Sequence, residues 1–157
     1  MDDLYFGYGS NLDIDDWTLF CRDRGFDPAV MRPVGPATLE DEILVFDYRS
    51  ARRQCGALNI RPCPGGAVDG YLFAVPARGW AALDAKEGHP HRYRREAVMV
   101  RDPGGAALAA QTYRVVPAMR TGFVAPNDHY LSVCRAGRAR YGLSLAQLEA
   151  AAHDRNG

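Results

Sequence analysis

The sequence has no run of about 18 apolar residues, so it offers no transmembrane helix of ordinary length. It has no net charge, because 19 basic and 19 acidic side chains cancel. The electrostatic footprint of a nucleic-acid binder is therefore missing, although a local basic patch is still allowed. Cysteine is sparse. Cys21, Cys55, Cys63 and Cys134 form no C-x-x-C pair and no Cys/His set with zinc-finger spacing, which reads as four free thiols. The opening Met-Asp-Asp lacks the basic-then-apolar profile of a signal peptide, so a cytoplasmic location is the default. No repeat, low-complexity stretch or linker divides the chain. A length of 157 residues, 47% of them apolar and 24% charged, suits one domain over residues 1–157 with one core.

What is present falls into alternating blocks. Leu4–Tyr8 reads as a short buried strand. Asp13–Arg24 reads as a helix that Asn11 or Asp13 caps and Gly25 stops. Met31–Thr38 and Glu42–Tyr48 read as extended segments, the second ending in the polar "RSARR". Cys55–Ile60 and Val68–Val75 read as two strands around "RPCPGGAVDG", which is dense in turn signals. Pro76–Lys86 reads as a short helix, and Tyr93–Arg101 with Ala107–Val116 as a hairpin turning at "DPGG". Two helices follow, from Pro126 to about Tyr141 and from a Ser144 cap to about His153. Strands and helices do not alternate strictly, which argues against a doubly wound parallel sheet. The expected class is α+β: a curled, mixed or largely antiparallel sheet with helices at its side.

Three stretches carry chemistry. The first is Tyr8–Gly9–Ser10–Asn11, between a strand end and a helix start. Glycine there admits close backbone approach and positive φ, and free N–H groups at a helix start receive an anion or a developing oxyanion. A plain strand–helix turn with an Asn cap reads equally well. "GYGSNL" lacks the third glycine of a dinucleotide fingerprint and the Lys-Ser/Thr of a P-loop. Ser10 does not stand in a G-x-S-x-G elbow, and nothing marks His89, His91, His129 or His153 as its base, so a serine hydrolase is disfavoured.

The second stretch is "WAALDAKEGHPHRYRR". Asp84 and Glu87 lie three apart and share a helix face. Glu87 falls at the helix C-terminus, where the dipole opposes a carboxylate and raises its pKa, as suits a proton shuttle. The plainer reading pairs it in solvent with an arginine such as Arg92. His89 and His91 invite a metal, but two histidines need further ligands that the sequence does not nominate. The third stretch is "PNDHYLSVCRAGRARYGLS". Tyr130, Cys134 and Gly137 follow one helix face. Tyr130 is either a ligand-facing hydroxyl or a core aromatic, and Arg135, Arg138 and Arg140 read as a solvated face.

Taken together, "YFGYGSNL", "LDAKEGHPHRYRR" and "PNDHYLSVCRAGRARYGLS" resemble the γ-glutamylcyclotransferase-like proteins, in that order and over nearly the whole chain. The Y-G-S-N loop and a later L-D-x-x-E-G are specific as a pair. The resemblance implies a small mixed α/β domain with a curled, barrel-like sheet and one cavity. It implies release of 5-oxoproline from a small γ-glutamyl amide, with no metal and no cofactor; the charge balance and the lack of a spanning run lead us to expect no nucleic-acid or membrane partner, and a homodimer is left open. Carried over, Glu87 is the catalytic carboxylate. Tyr8, Gly9, Ser10 and Asn11 form the substrate-cradling loop, and Tyr130 lies near the substrate. Relatives acting on glutathione usually read Y-G-S-L, so Asn11 leans toward γ-glutamyl amino acids or γ-glutamylamines. "EGHPHRY" and "PCPGGAVDG" depart from the family pattern without removing a matched residue. The rival readings are a binding module that keeps the cavity and lacks turnover, an enzyme acting on a γ-glutamyl group tethered to a larger partner, and a metal-dependent hydrolase using His89 and His91. Full activity in EDTA would sink the last.

Overall fold

The structure is a computed structural model that describes residues 2–153; Met1 and residues 154–157, included in the single-domain expectation, lie outside the described residues. Five strands are described: β1 (Asp3–Gly7), β2 (Arg32–Ser50), β3 (Cys55–Val75), β4 (Tyr93–Arg101) and β5 (Ala107–Val115). They close into a barrel in the order β1-β3-β2-β4-β5. β1 runs antiparallel to β3 from Asp3↔Val75 to Gly7↔Tyr71, and it meets β5 in parallel at Tyr5↔Gln111. β4 and β5 pair from Tyr93↔Val115 to Arg101↔Ala107, and β2 joins β4 through Thr38↔Arg101. Closure pairs both outer strands and so removes the exposed edges of an open sheet. This is the mixed, barrel-like α+β architecture expected.

The long strands correct the sequence reading. Segments 31–38 and 42–48 belong to one 19-residue strand, and segments 55–60 and 68–75 belong to one of 21 residues. A register shift between Glu40 and Glu42 lets the pair continue through the turn-rich stretch. The turn chemistry of "PCPGGAVDG" is spent on a bulge. Asp41 takes φ 59°, its Oδ1 accepts from the Gly65 N–H at 2.9 Å, and Gly65 takes φ 81°. A Cβ on Gly66 would lie 2.7 Å from the Glu42 carbonyl oxygen, so the crossing requires glycine.

Among the described residues, four α-helices flank the barrel: α1 (Ile14–Arg24), α2 (Trp80–Glu87), α3 (Asp128–Arg140) and α4 (Leu145–His153). Asp13 caps α1 by accepting the N–H groups of Asp15 and Asp16, and Gly25 ends it in the left-handed region. Pro76 opens no α-helix. A single 3-10 turn, Ala77–Gly79, precedes α2, which runs through Glu87. Asn127 caps α3, and Ser144 accepts from the Gln147 N–H at the start of α4. None of these helices is long and apolar enough to cross a membrane.

α3 presses on the loop after β1. A Cβ on Gly137 would lie 2.6 Å from the Asp13 backbone nitrogen, so only glycine allows this approach. The next residue overturns the solvated-face reading. Arg135 and Arg140 are exposed, but Arg138 is fully buried. Its guanidinium donates to the carbonyls of Tyr8, Asp69 and Ser144 at 2.9–3.0 Å and to the Gln147 side chain at 3.2 Å. Spacing of four along a helix puts Arg138 on the stripe of Tyr130 and Cys134, where burial costs less once its donors are satisfied.

Candidate active site

β1 ends at Gly7, and residues Ser10–Leu12 make one 3-10 turn before α1. Leu12 and Asp13 donate back to the carbonyls of Gly9 and Ser10, each at 3.1 Å. Among the described residues, the N–H groups of Gly9, Ser10 and Asn11 find no protein acceptor, as expected of donors at a helix start. The glycines supply access, and Gly9 takes a ψ of −133°, which with its φ lies outside the helical and extended regions. Gly9 has φ −129°, and a Cβ there would meet only Leu58, at 3.4 Å. Positive φ, anticipated from the sequence, is absent at Gly7 and Gly9. Arg138 holds the Tyr8 carbonyl from behind, and the Tyr8 hydroxyl donates to the Tyr113 carbonyl at 2.7 Å. The phenol of Tyr8 is thus spent on the frame, and its buried ring forms wall.

Glu87 ends α2 directly opposite this loop. Asn11 Nδ2 donates to Glu87 Oε1 at 2.8 Å and to the Tyr5 hydroxyl at 2.9 Å. The Lys86 ammonium donates to Asn11 Oδ1 and, at 3.3 Å, to Ser10 Oγ. It also pairs with Asp16 at 2.9 Å, and Asp16 receives two hydrogen bonds from Arg53 at 2.8 and 2.9 Å. This arrangement fixes the Asn11 amide. Turned over, its oxygen would face the Glu87 carboxylate and its NH2 would face an ammonium. The partner of Glu87 is therefore Asn11, not Arg92. Asp84 is engaged separately, accepting from the Tyr113 hydroxyl at 2.6 Å.

Burial pushes the Glu87 carboxyl above the ordinary value of 4.5. Lys86, the Asn11 hydrogen bond, Arg52 and Arg53 oppose the rise without cancelling it. Burial would also raise Asp16, but its bonds to Arg53 and Lys86 win and hold it well below the usual carboxylate range. A poised carboxylate thus sits beside a firmly ionised one.

A cavity of about 400 Å³ opens beside Glu87, within the range of small-molecule sites. Ser10, Lys86, Glu87, Tyr93 and Tyr130 line it. A niche of about 20 Å³ lies against Gly9, Ser10 and Asn11, and it shares Ser10, Glu87, Tyr93 and Tyr130 with the larger space. Glu87 therefore stands where the two meet. Tyr130 is a core aromatic that also lines the cavity. It is buried, its hydroxyl accepts from the Leu58 N–H at 3.1 Å, and its ring carries the Arg53 guanidinium at 5.1 Å. Tyr93 answers from the other side, donating to the Leu58 carbonyl at 2.6 Å.

The fold thus brings Tyr8, Gly9, Ser10, Asn11, Glu87 and Tyr130 around one space. It adds Lys86, Asp16, Arg53 and Tyr93, which sequence reasoning missed. Lys86 had a visible signal: it is the only lysine in an arginine-rich chain. The other three come from separate segments and converge only in three dimensions. Ser10 Oγ has the Lys86 ammonium as its partner at 3.3 Å, and that ammonium is itself held by Asp16 and Asn11. His89 lies outside the cavity lining, and its Nδ1 accepts from the Arg95 N–H at 3.0 Å.

Comparison with known proteins agrees with this architecture. A solved structure of a γ-glutamyl cyclotransferase is 23% identical with TM-score 0.82, covering 100% of this chain and 92% of that one. An uncharacterized human protein is 24% identical with TM-score 0.80, over 99% and 89% of the two chains. YkqA from Bacillus subtilis is 26% identical with TM-score 0.77 over 94% of this chain, which spans 52% of that longer one. No curated protein sequence matches. Residues 5–131 match the family described as gamma-glutamyl cyclotransferase, AIG2-like. The chain belongs to that gamma-glutamyl cyclotransferase, AIG2-like family.

Proposed function

We propose that the protein releases 5-oxoproline from a γ-glutamyl amino acid or γ-glutamylamine, with Glu87 as general base and then general acid. The observation that carries this reading is the Glu87 carboxylate, oriented by Asn11 at the junction of cavity and niche, beside the Gly9–Asn11 loop. The substrate's α-amine attacks its own γ-carbonyl carbon and closes a five-membered ring. Glu87 accepts the proton the amine loses. As the amide C–N bond breaks, Glu87 returns that proton to the departing nitrogen. The tetrahedral oxyanion is received by N–H groups of Gly9, Ser10 and Asn11; one such donor is worth about 3 kcal/mol in other enzymes. The nucleophile is tethered to its target, so proximity comes from the substrate and neither a serine nor a cysteine is required. The direct test is 5-oxoproline release by the purified protein.

Two results follow for variants. A base must be ionised to act, and the Glu87 pKa is raised, so the acidic limb of kcat/KM lies above pH 4.5. Lys86 is the strongest group opposing that rise. In Lys86→Met the limb therefore moves to higher pH, and kcat falls more than KM rises. A pH–rate profile checks both; an unmoved limb would show that Lys86 acts only in packing. In Ser10→Ala the loop keeps its backbone donors and loses one long hydrogen bond, so kcat/KM falls by at most about tenfold. A dead Ser10→Ala enzyme would reopen covalent catalysis by Ser10.

A further inference from the structure

The cavity lining is strongly one-sided in charge. Arg24, Arg52, Arg53, Lys86 and Arg92 line it, against the single carboxylate of Glu87. Asp16, behind the wall, is shared by Arg53 and Lys86. Among the described residues, Arg24, Arg52 and Arg92 make no ion pair, and all three are exposed at the mouth. Two of them converge: the guanidinium carbons of Arg24 and Arg52 lie 5.2 and 5.5 Å from the centroid of the same buried Phe20 ring. Like charges gathered on one ring gain from the ring face, but they repel each other until an anion joins them.

Resting on the function proposed above, we infer that the leaving amine is an acidic one carrying two carboxylates, as an acidic amino acid does. The γ-glutamyl group brings one carboxylate and one ammonium. The ammonium belongs near Glu87, and one rim arginine suffices for the carboxylate. Two guanidiniums then remain for the amine side, and each matches a carboxylate in fork geometry. A cationic amine, such as a diamine or a lysine side chain, would enter a field that repels it. The rim is open to solvent, so the preference is sensitive to salt.

The test separates binding from turnover. Calorimetry on Glu87→Gln measures affinity for γ-glutamyl-glutamate, γ-glutamyl-alanine, γ-glutamyl-ethylamide and γ-glutamyl-putrescine. Affinity falls in that order, by about tenfold or more from first to last, and the spread shrinks in high salt. Removing both converging charges, in Arg24→Gln/Arg52→Gln, levels the order among the four compounds. A flat or reversed order overturns the inference, as does an order that survives the double variant or no detectable binding of γ-glutamyl-glutamate. Wild-type turnover is read separately. Ranked binding without 5-oxoproline overturns the cyclotransferase reading and leaves the acidic preference standing. Release from every compound at equal kcat/KM does the reverse.

Discussion

Glu87→Gln loses about 10²- to 10⁴-fold in kcat and keeps its fold. Glutamine matches glutamate in size, and its amide oxygen still accepts from Asn11 Nδ2, so the loop contact survives. The sign of the linkage also favours the variant. Because the folded state raises the Glu87 pKa, stability is fully present below the unfolded pKa and declines as pH rises through the folded value. At neutral pH the wild type bears that cost and the uncharged variant does not. The variant is therefore at least as stable as the wild type at pH 7, and more nearly equal to it in acid. Thermal unfolding at two pH values, run with 5-oxoproline kinetics, reads both effects. Retained turnover in a folded Glu87→Gln protein would falsify the role given to this carboxylate. A large loss of stability at pH 7 would show that its charge holds the fold together.

The second large effect is structural. Arg138→Met removes a buried guanidinium that serves the carbonyls of Tyr8, Asp69 and Ser144. Methionine fills the space and relieves the desolvation of a charge, but three carbonyls lose their donors at about 1–3 kcal/mol each. The net destabilisation is about 3 kcal/mol, or roughly 6–12 °C in Tm for a domain of this size. One of those carbonyls opens the cradle, so the loop loosens and kcat/KM falls even at temperatures where the variant is folded. A Tm within about 2 °C of wild type would contradict this account of the site's rear support.

These two residues show what was legible in the sequence. Glu87 stood out as a candidate because a carboxylate at a helix C-terminus before Gly88 is poorly placed for stability. The Tyr8–Asn11 loop stood out because strand, glycines and helix cap are consecutive. Arg138 was not read, since a charge among other arginines on a helix looks solvated. Its place four residues beyond Cys134 on the buried stripe was the available signal. The long strands were hidden for a related reason. Proline, glycine and aspartate specify positive φ and lost N–H groups, and both a turn and a bulge use these features. Asp41 is 24 residues from Gly65, so no local window reveals that the two face each other. The cationic rim is scattered further still, over α1, the loop after β2 and the turn before β4.

The measurement that tests the central claim most directly is 5-oxoproline release by the wild-type protein from a panel of γ-glutamyl amino acids, γ-glutamylamines and glutathione. The account predicts release from at least one γ-glutamyl amino acid, without added metal. A folded protein that releases 5-oxoproline from no member of the panel would contradict it.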